Sequence, residues 1–202
     1  MTDFSAKRRP QHGAGQDSID QSLLERIAAG ERPALHELYV NYYQRLLRFL
    51  YRITGQLELA QEGINDVMLV VWEKGHTFTG RSTVSTWIMG IAYRKGLKLR
   101  EKSKRWSDRF KAADIDDWNE PFLPSEKPTD EVIMQDLLAR ALRQLSPEQR
   151  AVVELTYFHG YSYQEISAIA GCPVNTVKTR MFHARAKLRT LLPKLGADGP
   201  YK

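Results

Sequence analysis

The sequence predicts an all-α protein: two helical domains joined by a flexible acidic linker, the C-terminal domain a helix-turn-helix. Three observations predict it. Apolar residues recur at three- and four-residue spacing through most of the chain, and no stretch alternates cleanly at period two. Pro121, Pro124, Pro128 and a run of acids break that pattern between residues 106 and 131, too long a break for a connection inside one compact domain. Beyond it, two capping signatures and a tight turn containing Gly precede a last long helix. With 202 residues, 42% hydrophobic and 27% charged, the chain has the composition of one or two folded domains, not of a wholly disordered protein.

Residues 1–19 are polar and aperiodic, with Pro10, Gly13 and Gly15, and read as a disordered tail. Helical spacing of Ile19, Leu23, Leu24 and Ile27 predicts a first helix, stopped by Gly30. Pro33 suits a first helical turn, and Leu35, Leu38, Tyr39, Tyr42, Leu46, Phe49, Leu50 and Ile53 carry one stripe to Gly55. A third helix runs from about Leu57 to Lys74, closed by Gly75. A fourth opens near residues 82–85 and carries Trp87, Ile88, Ile91, Ala92, Leu97 and Leu99 into the basic run RKGLKLREKSKR. The first domain is therefore placed at 20–105 and the linker at 106–131.

The second domain, 132–194, resumes near Asp130, and 195–202 is a second tail. Ser146-Pro147-Glu148-Gln149 is a capping box with Pro at the first helical position, opening a helix to about Phe158. Ser162-Tyr163-Gln164-Glu165 is another, opening a short helix stopped by Gly171. Pro173 then opens the last helix, expected to reach Leu192, with Cys172 as its N-cap.

Charge narrows the function. The net charge is +6, but residues 106–131 hold eight acidic side chains against Arg109, Lys111 and Lys127, so two basic blocks flank an acidic middle. Such blocks favour a polyanion partner. The single cysteine excludes an internal disulfide or a multi-cysteine metal site. No apolar run is long enough to cross a bilayer, and no apolar segment follows the N-terminal basic residues as a secretory signal needs. A cytoplasmic protein is expected. His12, His36, His76, His159 and His183 lack ligand spacing, and no catalytic cluster is seen, so neither enzyme activity nor a cofactor is expected.

On the last helix, Val174, Val177, Met181, Ala184 and Leu188 form one face that would pack on Ile166 and Ile169. The other side presents Asn175, Thr179, Phe182, His183 and Thr190, edged by Lys178, Arg185 and Arg189 and by Arg180 and Lys187. An amide, hydroxyls and cations at the start of such a helix reach base edges in a major groove, while flanking cations hold phosphates. The alternative is a solvated basic face. A second constellation, GHTFTGRSTVSTW followed by Tyr93, Arg94, Lys95, Lys98 and Arg100, interleaves rings with cations, which suits unpaired nucleic acid; Trp87 as a core residue is the competing reading.

These residues make the chain resemble the extracytoplasmic-function (ECF) class of bacterial sigma factors, from about residue 20 to 192. The segment 60–72, AQEGINDVMLVVW, is similar to the family's acidic helix that contacts the polymerase clamp. Phe78-Thr79-Gly80, Thr86-Trp87-Ile88 and Ile91-Ala92 are similar to its segment that captures an unpaired base of the −10 element. Leu145-Ser146-Pro147, Arg150, the run 160–166, Thr176-Val177-Lys178-Thr179-Arg180, Ala184-Arg185 and Leu188 are close to its −35-reading domain. Gly63 stands where a larger apolar residue is usual, Asn65 where Gln is, and Asn175 where Gly is; Arg94 and Lys98 replace a common Asn and acid.

The resemblance implies an alternative sigma factor that directs core RNA polymerase to promoters and helps to open them. Its contacts to polymerase would be Glu62, Asn65, Asp66, Met68, Leu69 and Trp72. Those to the unpaired −10 strand would be Phe78, Gly80, Arg81, Thr86, Trp87, Arg94, Lys95 and Lys98. Duplex −35 DNA would meet Tyr163, Asn175, Thr176, Lys178, Thr179, Arg180, Phe182, Arg185 and Arg189. The acidic linker would run through the polymerase interior. Further implied are a dedicated anti-sigma factor as partner and no insertion into a membrane. The rivals are a one-component helix-turn-helix regulator that acts without polymerase and a nucleic-acid-processing enzyme.

Overall fold

The computed structural model describes residues 14–110 and 130–197. Among these, eight α-helices and no strand are found. The first unit holds α1 (Ala14–Ala28), α2 (Arg32–Thr54), α3 (Leu57–Lys74) and α4 (Val84–Phe110), with a short 3-10 turn at Gly75–Thr77. The second holds α5 (Asp130–Arg143), α6 (Pro147–Tyr157), α7 (Tyr163–Ala170) and α8 (Val174–Ala197).

The predicted stripes form the core of the first unit. Leu23, Leu24 and Ile27 of α1 meet Leu38, Tyr42, Leu46, Phe49, Leu50 and Ile53 of α2, with Ile64, Val67 and Val71 of α3 and Ile88 and Ala92 of α4. Ile19 departs from its expected place: it is exposed, and Asp20 takes the inward position. That buried carboxylate accepts hydrogen bonds from the Tyr42 hydroxyl and from Gln16 Nε2 (3.0 Å), so its burial is compensated. Helix α1 therefore starts at Ala14, inside the stretch read as a tail. The rest of that tail lies outside the described residues.

Gly63 is explained by close approach. A Cβ there would lie 3.1 Å from Leu50 Cδ1 and 3.2 Å from Leu99 Cδ1. Gly96 meets Leu50 Cδ2 at 3.1 Å in the same way. Leu50 is seated between two glycines, so the apolar volume expected at position 63 comes from α2 and α4 instead.

Helix α4 runs to Phe110, five residues into the expected linker, and α5 begins at Asp130, where helix was expected to resume. Helix α8 starts at Val174 and runs past Pro193 to Ala197. Pro193 is tolerated because it lies in the closing turns, where only one interior hydrogen bond is lost. The span 111–129 lies outside the described residues, as does 198–202.

Both capping boxes are present. Ser146 Oγ accepts from Gln149 N and Gln149 Oε1 from Ser146 N, each at 3.2 Å; Ser162 and Glu165 repeat the exchange. Gly171 ends α7 with φ +62°, a left-handed conformation that a side chain would strain. Cys172 does not cap α8. Its carbonyl accepts from Ser167 Oγ at 2.6 Å, which ties the turn, and Pro173 is the residue before α8.

The two units pack on each other through α7 on α4 and α6 on α2. A Cβ on Gly90 would lie 3.5 Å from the Ile169 carbonyl. The buried Tyr161 hydroxyl accepts from Arg45 Nη2 at 2.5 Å and pairs with Ser85 Oγ at 2.6 Å. Arg150, 1% exposed, donates Nε to the Leu142 carbonyl (2.9 Å), Nη2 to that of Arg143 (2.5 Å) and Nη1 to that of Arg52 in the first unit (3.0 Å). Its charge lies against the carbonyl end of α5, where the helix dipole favours a cation.

Candidate nucleic-acid interface

Helix α3 sorts the expected polymerase contacts by spacing. Glu62 and Asn65 are exposed, and Leu69, 53% exposed, is a large apolar side chain open to solvent. Met68 is different. At 5% exposure it belongs to the core with Ile64, Val67 and Val71, because it falls on the inward stripe. It supports the helix and is removed from the contact set. Trp72 is partly buried against the same core. Asp66 is half-exposed and paired with Lys95 Nζ of α4 at 3.0 Å, so one expected polymerase contact holds one expected −10 contact.

Past the 3-10 turn, the loop 78–83 leads into α4. Phe78 and Trp87 stack as a tilted pair, centroids 5.7 Å apart, both partly buried against the core. Trp87 is thus neither fully core nor fully open. Gly80, with φ +69°, and Arg81 are exposed at the loop's tip. Thr86 is buried: Thr83 Oγ1 donates to its hydroxyl at 2.9 Å and accepts from its backbone N–H at 3.1 Å. It organises the first turn of α4 and is not placed to touch a strand. Arg94 and Lys98 are exposed.

Sequence reasoning missed Asp17. Its Oδ1 accepts from Val84 N at 3.0 Å, closing the N-terminus of α4 from sixty-seven residues away. A carboxylate in that position satisfies an orphan donor and complements the helix dipole. No local pattern points to it, since its partner is set by tertiary packing alone.

On the second unit, Val177, Met181 and Ala184 are buried against Ile166 and Ile169 as expected. Asn175, Lys178, Thr179, Phe182, Arg185 and Arg189 are exposed, Phe182 to 70%. Two shallow grooves flank α8. One is lined by Tyr163, Lys178, Met181, Phe182, Arg185 and Arg189, the other by Gln149, Asn175, Thr176, Thr179, Arg180 and His183.

Some of these side chains are already held. Thr179 Oγ1 donates to the Asn175 carbonyl at 2.9 Å. Arg185 donates Nε to the Tyr157 hydroxyl at 3.0 Å and lies over its ring at 5.7 Å. Lys187 donates to the Gln144 carbonyl. Arg180 approaches Cys172 Sγ at 3.6 Å and lies near enough to the Tyr93 phenol of α4 to act on its charge. Burial pushes the Tyr93 phenol above its ordinary range, and Arg180 opposes that rise. Arg180 thus faces the other unit, whereas Asn175, Lys178, Phe182 and Arg189 face outward. Among the described residues no group of three His, Cys, Asp or Glu side chains is placed to hold a metal. No described helix is long and apolar enough to cross a membrane.

Such an arrangement, a helix-turn-helix packed on a helical unit with an aromatic loop, defines a class of transcription factor. Sigma-70 region 2 matches residues 38–106, and Sigma-70 region 4 matches residues 135–188. The chain belongs to the ECF class of the sigma-70 family. It is 29% identical over 180 residues to the ECF RNA polymerase sigma factor RpoE of Cereibacter sphaeroides, covering 86% of this chain and 95% of that one. It is 26% identical over 183 residues to the RNA polymerase sigma-H factor of Pseudomonas aeruginosa, covering 87% and 95%. Among solved structures, its fold is similar to that of CnrH in complex with the cytosolic domain of CnrY, with TM-score 0.64 at 22% identity, covering 87% of this chain and 98% of that one. It is also similar to RpoE in complex with the anti-sigma factor NepR from Bartonella quintana, with TM-score 0.58 at 22% identity, covering 78% and 96%.

Proposed function

We propose that this alternative sigma factor divides its work between the two units. The first binds core RNA polymerase through the exposed side of α3, with Glu62, Asn65, Asp66 and Leu69. It also takes an unpaired −10 base at the Phe78–Trp87 pair, with Arg81, Arg94 and Lys98 on the backbone. The second reads duplex −35 DNA with Asn175, Lys178 and Phe182 and holds phosphates with Arg185 and Arg189. Phe182 suits a thymine methyl. The single observation that carries this reading is the outward set on α8: an amide, a cation and an exposed ring in its first turns, with cations following one to three turns later.

Catalysis belongs to the polymerase, and the factor works in the cytoplasm. The NepR complex of a structural relative supports an anti-sigma partner here as well. A one-component regulator needs no second surface; Leu69, large, apolar and exposed beside Glu62 and Asn65, speaks against that rival.

The test is holoenzyme binding to a library of promoter variants at two salt concentrations. Lys178→Ala changes preference at one −35 position, by about 1–3 kcal/mol. Arg189→Ala weakens all sequences alike and lowers the salt slope by about one. An even loss across the library for Lys178→Ala would remove it from the reading face.

A further inference from the structure

Helices α3 and α4 cross closely, and the crossing sets two charged side chains against each other. Leu99 of α4 is buried over Gly63 of α3, where a Cβ would stand 3.2 Å from its Cδ1. A larger residue at position 63 would hold the helices apart. Asp66 lies three residues past Gly63 and Lys95 four residues before Leu99, so each stands about one helical turn from the contact. Lys95 Nζ donates to Asp66 Oδ2 at 3.0 Å. The pair is not sealed in: 37% of the Asp66 side chain and 31% of the Lys95 side chain stay open to solvent.

Each half of this bridge sits among groups that call for an outside partner. Asp66 shares the outer side of α3 with Glu62, Asn65 and Leu69, all exposed. A surface that docks there faces two carboxylates and is complementary when it is cationic. Lys95 stands between Arg94 and Lys98, both exposed, and three cations together favour an anion. An ion pair that only steadies the crossing is the alternative. The crossing does not depend on one, because Leu99 on Gly63 and the buried Ile64, Val67 and Ala92 already hold it. A pair this exposed adds little to stability, and for the same reason a ligand can open it.

We infer that the Asp66–Lys95 bridge couples polymerase docking to binding of the −10 strand. In the free factor each side chain neutralises the other. A polymerase cation that takes Asp66 releases Lys95 to a strand phosphate, which its flexible four-carbon stem lets it reach. A phosphate that takes Lys95 releases Asp66 in turn. The ligand that binds first opens the bridge, and the second binds without that cost. Each ligand therefore strengthens the other by the same factor. That factor is bounded by the strength of the bridge, about two- to fivefold for a pair so exposed. Lys95 is thus a positioning residue for polymerase binding as well as a strand contact. The coupling rests on the roles proposed above for the outer side of α3 and for the Phe78–Trp87 pair.

The experiment measures the affinity of the full chain for core RNA polymerase, with and without a saturating single strand that carries the −10 sequence. The readout is the gain in core affinity that the strand produces, which a merely steadying ion pair would not move. Without the strand, Lys95→Met should bind core about two- to fivefold more tightly than wild type, because Asp66 is already released. Its gain on adding the strand should be smaller by that same factor. Lys95→Arg, which keeps the bridge, should behave as wild type does. Asp66→Asn should bind core more weakly, and its gain should fall by the same factor as that of Lys95→Met. The double variant should show the gain of either single one, because one bridge is lost only once. Core affinity of Lys95→Met at or below that of wild type overturns the inference. So does an undiminished gain in either single variant, or losses of gain that add in the double variant. A scrambled strand that gives wild type the same gain would sink the −10 reading, and Glu62→Lys with unchanged core affinity would sink the polymerase reading; either takes the coupling with it.

Discussion

Helix α4 is placed by distant partners. Asp17 closes its N-terminus, Asp66 holds Lys95, and Arg100 reaches the end of α2. Helix α8 is placed by near ones: the box at Ser162, the left-handed Gly171 and the Ser167–Cys172 bond lie within the thirty residues around its start. The buried apolar residues of both units form one continuous cluster, to which the first unit contributes the larger share among the described residues and the second adds Leu142, Leu145, Leu155, Ile166, Ile169 and Met181. A small unit buries little apolar area and is marginal alone. The second compensates with local hydrogen bonds and with polar ties to the first, Arg150 to the Arg52 carbonyl and Tyr161 to Arg45 and Ser85. The first unit's surface is therefore sensitive to packing across the whole domain, and the second unit's to its caps, its turn and its polar ties.

The largest expected effect is at Arg150. Arg150→Met leaves three buried or partly buried carbonyls without their donor, and should cost about 3 kcal/mol or more, near 10 °C in the melting midpoint. Arg150→Lys cannot reach three carbonyls in a fork and should not restore it. An unchanged midpoint by calorimetry would break the idea that Arg150 is a main tie between the units, beside the Tyr161 contacts to Arg45 and Ser85. Next comes Gly90→Leu, which places a side chain where the Ile169 backbone lies. It should cost about 1–3 kcal/mol through overpacking and separate the units while each stays helical. A dye pair, one on each unit, reads the distance; no increase would mean that α7 is not held at Gly90.

Ser162→Ala removes a cap, at about 1 kcal/mol. It should weaken −35 binding and leave polymerase affinity intact; a loss of both would erase the difference between the units. The smallest effect is alkaline. Burial raises the phenol pKa values of Tyr42, Tyr93 and Tyr161 above their ordinary range. The folded chain keeps those protons when the unfolded chain has lost them. Their contribution is whole below pH about 10 and is lost as pH rises beyond it. Tyr161→Phe should cost about 1 kcal/mol at neutral pH and flatten the fall in stability between pH 10 and 12; an unchanged alkaline slope would mean that Tyr161 ionises freely.

What could be read in the sequence follows the same division. Both capping boxes, Gly171 and the buried line Val177–Met181–Ala184 were legible because their causes lie within a few residues. The stripes of α1 and α2 were legible too, except at Ile19 and Asp20, where a buried carboxylate is stable only because Tyr42 arrives from another helix. Met68 and Thr86 stand at contact positions of the motifs yet are buried, because motif position says nothing of which neighbours cover a side chain. Asp17 as the cap of α4, Leu50 between Gly63 and Gly96, and Arg180 turned toward Tyr93 all depend on packing between distant segments. No periodicity encodes them.

The division of labour itself is tested most directly by comparing residues 1–131 with the full chain for core RNA polymerase binding and for discrimination between intact and scrambled −35 elements. The account predicts a folded helical fragment that binds core with nearly full affinity and no longer distinguishes the two promoters. A fragment that is unfolded or blind to polymerase, or that still prefers the intact −35 element, would contradict it.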